Sequence, residues 1–98
     1  MIRRIVKLTF QEDKVDEFKA LFHSRKDKIV SSKGCHSVDL LQHIKQPNVF
    51  FTYSFWENED ALNAYRHTDL FAEVWKRTKS KFEKRAEAWS LKVASQTT

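Results

Sequence analysis

The chain has 98 residues, a formal net charge of +5, 41% hydrophobic and 13% aromatic residues, and one each of glycine, proline and cysteine. A single glycine excludes a dinucleotide fingerprint, a P-loop and a nucleophile elbow; a single cysteine, Cys35, excludes an intrachain disulfide and the usual Cys/His zinc sets, and suits a reducing compartment. A chain this short buries only about two-thirds of the surface that its unfolded form exposes, so part of this aromatic area is expected to be covered by a partner subunit.

Ile2 to Phe10 alternates, with Val6, Leu8 and Phe10 on one face and Arg3, Lys7 and Thr9 on the other, which predicts a half-buried strand; Ile5 is the apolar exception on the polar face. Gln11 to Lys14 reads as a turn. Val15, Phe18, Leu21, Phe22, Arg25 and Ile29 then fall at three- and four-residue spacing, the stripe of an amphipathic helix that should stop between Ser31 and Gly34. A second strand is predicted from Cys35 to Gln46, with His36, Val38, Leu40, Gln42 and Ile44 on one face and Cys35, Ser37, Asp39, Leu41 and His43 on the other. Gln46-Pro47-Asn48 turns the chain into a hairpin whose second strand, Val49 to Trp56, is β-branched and aromatic and is expected to be central. Asn58 is placed to cap a short helix through Tyr65, with Glu59 and Asp60 in its first turn where the helix dipole favours them. Thr68 is placed to cap a second helix, whose stripe is Leu70, Phe71, Val74, Trp75, Thr78 and Phe82, and Glu87, Trp89, Leu91 and Val93 alternate as a last strand. The order β-α-β-β-α-β, with its second helix broken at His67-Thr68, predicts a ferredoxin-like α+β domain with an antiparallel sheet over residues 1–94, followed by a polar tail at 95–98.

Several functions are disfavoured by the same reading. The histidines His23, His36, His43 and His67 show no metal pairing, and no cofactor is implied. RNA-recognition domains share this element order, but their third strand needs a basic residue followed by glycine ahead of the aromatics. Here Gln46-Pro47-Asn48-Val49 leads in, so no nucleic-acid partner is expected. No stretch is long enough for a membrane span, and Lys7 interrupts the N-terminal apolar run too early for a signal peptide, so no membrane partner and a cytoplasmic location are expected. The basic run Lys76, Arg77, Lys79, Lys81, Lys84 and Arg85 reads as a solvated face or as an anion-attracting rim.

Three stretches carry a likeness: Lys33-Gly34-Cys35-His36 opening the second strand, Tyr53 to Leu62 as strand, Trp-acidic corner and following helix, and Tyr65-Arg66-His67-Thr68-Asp69-Leu70-Phe71 at the helix break. Through them the chain, from Ile2 to Val93, resembles the antibiotic biosynthesis monooxygenase family of dimeric α/β barrels. The resemblance implies protomers paired sheet to sheet as a homodimer, with one pocket per subunit between the sheet and the broken helix. It also implies activities that range from oxygenation of phenols and quinols without flavin or metal, through quinol oxidation, to haem degradation. The asparagine, tryptophan and haem-ligating histidine of the haem-degrading branch fall on Val6, Tyr65 and Trp75, all of which differ, so that mechanism would need a displaced ligand such as His67.

Oxygenation without a cofactor needs a substrate that can itself give an electron to oxygen, and so a pocket that favours its deprotonated form. Tyr65 and His67 are the candidate catalytic groups, His67 because imidazole titrates near neutrality. Tyr53, Trp56, Trp75 and His43 are the candidate contacts for a small aromatic or quinone-like ligand. Each also has a plainer reading: helix-end exposure for His67, core or corner packing for Tyr65, Trp56 and Trp75, and a place at the dimer interface for His43. The alternative function is a non-catalytic homodimer that binds a small ligand or serves in a stress response.

Overall fold

The alternation at the N-terminus is realised as β1 (Ile2–Thr9), and the aromatic run as β3 (Val49–Trp56), paired antiparallel from Ile2 opposite Trp56 to Thr9 opposite Val49. This computed structural model describes residues 1–96; Thr97 and Thr98, the end of the expected polar tail, lie outside the described residues. The remaining elements are a single 3-10 turn at Glu12–Lys14, α1 (Val15–Val30), β2 (Cys35–Gln42), α2 (Glu59–Arg66), α3 (Asp69–Lys79) and β4 (Glu87–Leu91). The strands lie in the order β2-β3-β1-β4, every neighbouring pair antiparallel, so the fold is ferredoxin-like and β3 is interior as expected.

Because side chains alternate along a strand, this register divides the sheet into two faces. Arg4, Val6 and Leu8 share one face with Phe50, Thr52, Ser54 and Trp56, and the three helices pack on that side. The core there is aromatic: Phe10, Phe18 and Phe50 are all but fully buried, with Phe10 stacked on Phe18 at 4.2 Å between ring centroids. Arg3, Ile5 and Lys7 share the other face with Phe51, Tyr53, Phe55, Trp89 and Leu91. No element of the described protomer covers it, and Trp89 and Leu91 remain 44% and 46% exposed.

Two helix starts are fixed by the side chains that the sequence nominated. Asn58 Oδ1 accepts from the Ala61 backbone N–H at 2.8 Å, and Thr68 Oγ1 accepts from that of Phe71 at 3.1 Å. Helices α1 and α3 are joined by a two-pronged ion pair from Arg25 to Glu73, at 3.0 and 2.9 Å.

The second strand differs from expectation at both ends. It stops at Gln42 rather than Gln46, because the His43 ring Nδ1 accepts from the backbone N–H groups of Lys45 and Gln46, both at 3.0 Å, and so turns the chain. At its start a bulge lies between Cys35 and Ser37, which pair with the successive residues Trp56 and Phe55. The extra residue reverses the face of Cys35, which is set level with Trp56 and so shares the helix-covered side with Val38, not the face of Ser37 and Asp39. The last strand ends at Leu91, short of Val93, and Phe82 lies beyond α3, held instead by a bridge to Phe10.

Candidate functional site

A cavity lies beneath the break between α2 and α3. Helix α2 ends at Arg66, His67 leaves the helical path, and Thr68 bonds in both directions, donating its hydroxyl to the Tyr65 carbonyl at 2.7 Å while capping α3. This fixes Tyr65 and Phe71 edge to face, 5.3 Å apart and at 83°. The aromatic series continues to either side, with Trp56 5.0 Å from Tyr65 and Trp75 stacked at 6.1 Å on Phe71. Between these rings and the helix-covered face of the sheet lies a cavity of about 330 Å³, at the lower end of the range typical of small-molecule sites.

Most of the wall is apolar, and the polar groups are few and placed. β1 contributes Arg4, β3 contributes Thr52 and Ser54, and α2 contributes Tyr65 and Arg66. The Trp56 indole N–H donates to Ser54 Oγ at 2.9 Å, which fixes the indole plane against the cavity floor. Burial, with a further push from Cys35 nearby, raises the Tyr65 hydroxyl to about 12, so at neutral pH it is a protonated hydrogen-bond donor. Burial also raises the Cys35 thiol. The Arg4 guanidinium donates to Ser90 Oγ at 2.9 Å; its charged form is opposed first by burial and then by Arg66. Among the described residues no group of three or more His, Cys, Asp or Glu side chains gathers as a metal site would.

The residues singled out from the sequence divide evenly. Trp56, Tyr65 and Trp75 line the cavity, joined by Val6, so the positions to which the resemblance assigned haem-branch residues do converge on one space. Tyr53 does not line it. The register places Tyr53 opposite Ile5 on the uncovered face, where its hydroxyl accepts from Arg3 Nη1 at 3.3 Å. His43 does not line it either, since it is exposed in the β2–β3 loop with its ring turned to the backbone of that loop. His67 is exposed at the helix break, its Nδ1 2.7 Å from the Asn63 carbonyl, and is absent from the cavity wall. A one-residue step along a strand, or one at a helix end, moves a side chain to the other side of the fold, which separates Tyr53 and His67 from the rest; His43 is separated because β2 ends before it and its ring caps the loop.

Arg4 and Arg66 are the cavity residues that the sequence reading passed over. Arg4 carried a signal, because it shares the strand parity of Val6, Leu8 and Phe10 and so sets a cation on an otherwise apolar face. Arg66 carried none, since an arginine in the last turn of a helix is ordinary dipole chemistry.

The family model described as antibiotic biosynthesis monooxygenase matches residues 1–77. Among solved structures, a conserved protein from Methanosarcina mazei Go1 is 23% identical with a TM-score of 0.87, the match covering 92% of this chain and 89% of that one. A structure from Bordetella bronchiseptica bearing the same family designation is 21% identical, with a TM-score of 0.86 and coverage of 96% and 97%. Another of that designation, from Nitrosomonas europaea, is 17% identical, with a TM-score of 0.89 and coverage of 97% and 100%. At these identities the likeness is one of fold. No curated protein matches.

Proposed function

Because the chain belongs to the antibiotic biosynthesis monooxygenase family, we propose that it is a cofactor-independent monooxygenase or quinol oxidase acting on a small phenol or quinol in the cavity beneath the α2–α3 break. The observation that carries this reading is an aromatic cavity of about 330 Å³ bordered by a protonated tyrosine hydroxyl and by Arg4 and Arg66.

The chemistry asks the site to stabilise an electron-rich substrate anion. A phenolate or enolate gives one electron to oxygen, and the resulting substrate radical and superoxide combine to a peroxide at carbon. If that carbon began as CH₂, loss of water leaves a carbonyl: one oxygen atom stays on the substrate and the other departs as water with two hydrogens. A quinol loses two electrons and two protons to oxygen, giving quinone and hydrogen peroxide. In either branch Tyr65 donates to the anionic oxygen, Arg4 and Arg66 lower the substrate's own pKa, and the apolar wall keeps water from weakening both effects. The substrate proton leaves by the cavity mouth, a role the sequence had suggested for His67. Trp56, Phe71 and Trp75 hold the ring plane.

The working unit in this reading is a homodimer joined through the uncovered face of the sheet. Ile5, Phe51, Tyr53, Phe55, Trp89 and Leu91 make that face apolar over three strands, which suits a second copy better than water.

The decisive experiment incubates purified, chelator-treated protein with phenols, naphthols, anthrones and haem while oxygen uptake and product mass are followed. Oxygen incorporation into an anthrone, or quinone formation from a quinol, at a rate indifferent to chelator is the expected result. No uptake with any compound, together with binding of some, would replace the enzyme with the second reading, a non-catalytic ligand-binding dimer.

A further inference from the structure

A phenol or quinol uses the charge of the cavity's two arginines but not their two-pronged hydrogen-bonding geometry. Arg4 projects from the middle of β1 and Arg66 from the last turn of α2, and both border the same space. Among the described residues neither belongs to an ion pair; the carboxylates that do form pairs, Glu17, Glu73 and Glu87, are engaged by Lys14, Arg25, Arg77 and Lys7. Arg4 has one hydrogen bond, to Ser90, for five N–H groups. Two like charges therefore border one apolar cavity with no ion-pair partner among the described residues, and the charged form of Arg4 is opposed by burial and then by Arg66.

We infer that the cavity's ligand is an aromatic carboxylate, its carboxylate gripped by Arg4 and Arg66 and its ring laid against Trp56, Tyr65, Phe71 and Trp75. The assignment rests on the reading above, that this cavity is the substrate site. A guanidinium is a planar fork matched to the two oxygens of a carboxylate, whereas a phenolate has a single oxygen that the Tyr65 hydroxyl already suits. Two forks and a hydroxyl donor bordering one aromatic cavity thus suit a ring bearing two oxygen functions, a carboxylate and a phenolic hydroxyl. The carboxylate fixes which end of the ring enters, and so which carbon meets oxygen.

The test compares 2-naphthoate with 2-naphthalenemethanol, which has the same ring and a neutral hydroxymethyl group, by calorimetry and by quenching of tryptophan fluorescence on the full chain. The carboxylate is expected to bind about tenfold or more tightly than the alcohol, as charge-assisted hydrogen bonds would give. The preference should shrink as salt is raised. R4M and R66M should each reduce the preference, and the double variant should abolish it, with near-ultraviolet circular dichroism and residual binding of the alcohol reporting that the cavity is still folded. R4K should retain part of the preference. Equal binding of the two probes by the native protein, or a preference that survives both substitutions, overturns the carboxylate assignment and leaves the cavity as a site for neutral aromatics. Binding of neither probe removes the cavity as an aromatic site, and the assignment with it.

Discussion

Tyr65 is the residue on which packing and chemistry meet. Its ring lies between Trp56 and Phe71, and its hydroxyl is held protonated by burial, up to about 12. In a Y53F background Tyr65 is the only remaining tyrosine, and its near-ultraviolet absorbance should report ionisation near pH 12; ionisation close to the ordinary value of about 10 would mean an open, wet cavity. A phenol whose folded pKa is raised binds its proton more tightly folded than unfolded. Its contribution to stability is therefore complete below the unfolded pKa of about 10 and is lost as pH rises towards 12. Y65F should remove that alkaline loss. If Tyr65 donates to a developing anion, Y65F should also lower kcat by about 10²-fold with little change in ligand affinity; unchanged turnover would reduce Tyr65 to packing. The aromatic residues of the site were legible in the sequence because the helical stripe and the break both marked them. Arg4 was half legible, its parity visible but its meaning not.

At the scale of elements, the joint between the α1–β2 turn and α2 decides whether the cavity keeps its shape. Gly34 has φ +82°, a conformation that L side chains rarely adopt, and a Cβ added there would lie 2.5 Å from Ala61 Cβ on α2. Its carbonyl accepts from the Glu57 backbone N–H at 2.8 Å, tying this turn to the corner after β3. G34A should cost about 2–4 kcal/mol, the sum of a left-handed backbone penalty and an overpacked contact, read as a fall in the denaturant midpoint. A loss below about 0.5 kcal/mol would show that α2 can move away freely. The caps at Asn58 and Thr68 were readable because the capping rule is local, a side-chain oxygen reaching a backbone N–H three residues on. The bulge in β2 was not: it is defined by the partner strand, and nothing in Cys35-His36-Ser37 announces it.

For the whole molecule, the uncovered sheet face is the feature that a lone protomer leaves unsatisfied. At micromolar concentration the protein should sediment as a dimer. Lysine at both Trp89 and Leu91, which are already exposed in the protomer, should yield a monomer with its far-ultraviolet circular dichroism intact. A native protein that sediments as a monomer would refute the sheet-to-sheet homodimer directly. Among the described residues no helix is long and apolar enough to cross a membrane. The aromatic and aliphatic side chains of the face, set among Arg3, Lys7 and Glu87, are the chemistry on which the proposed second copy rests.

The sequence by itself determined the order of the elements, the broken helix and the interior place of β3, because periodicity and capping act over a few residues and are written in neighbouring side chains. It resembled its family through those same local patterns. Only the tertiary structure decided which aromatics share a cavity, that Tyr53, His43 and His67 stand apart from it, and that Arg4 and Arg66 meet there. Those outcomes depend on strand register and on the packing of α2 over the sheet, and each joins residues distant in the chain, where a shift of one position turns a side chain from one face to the other.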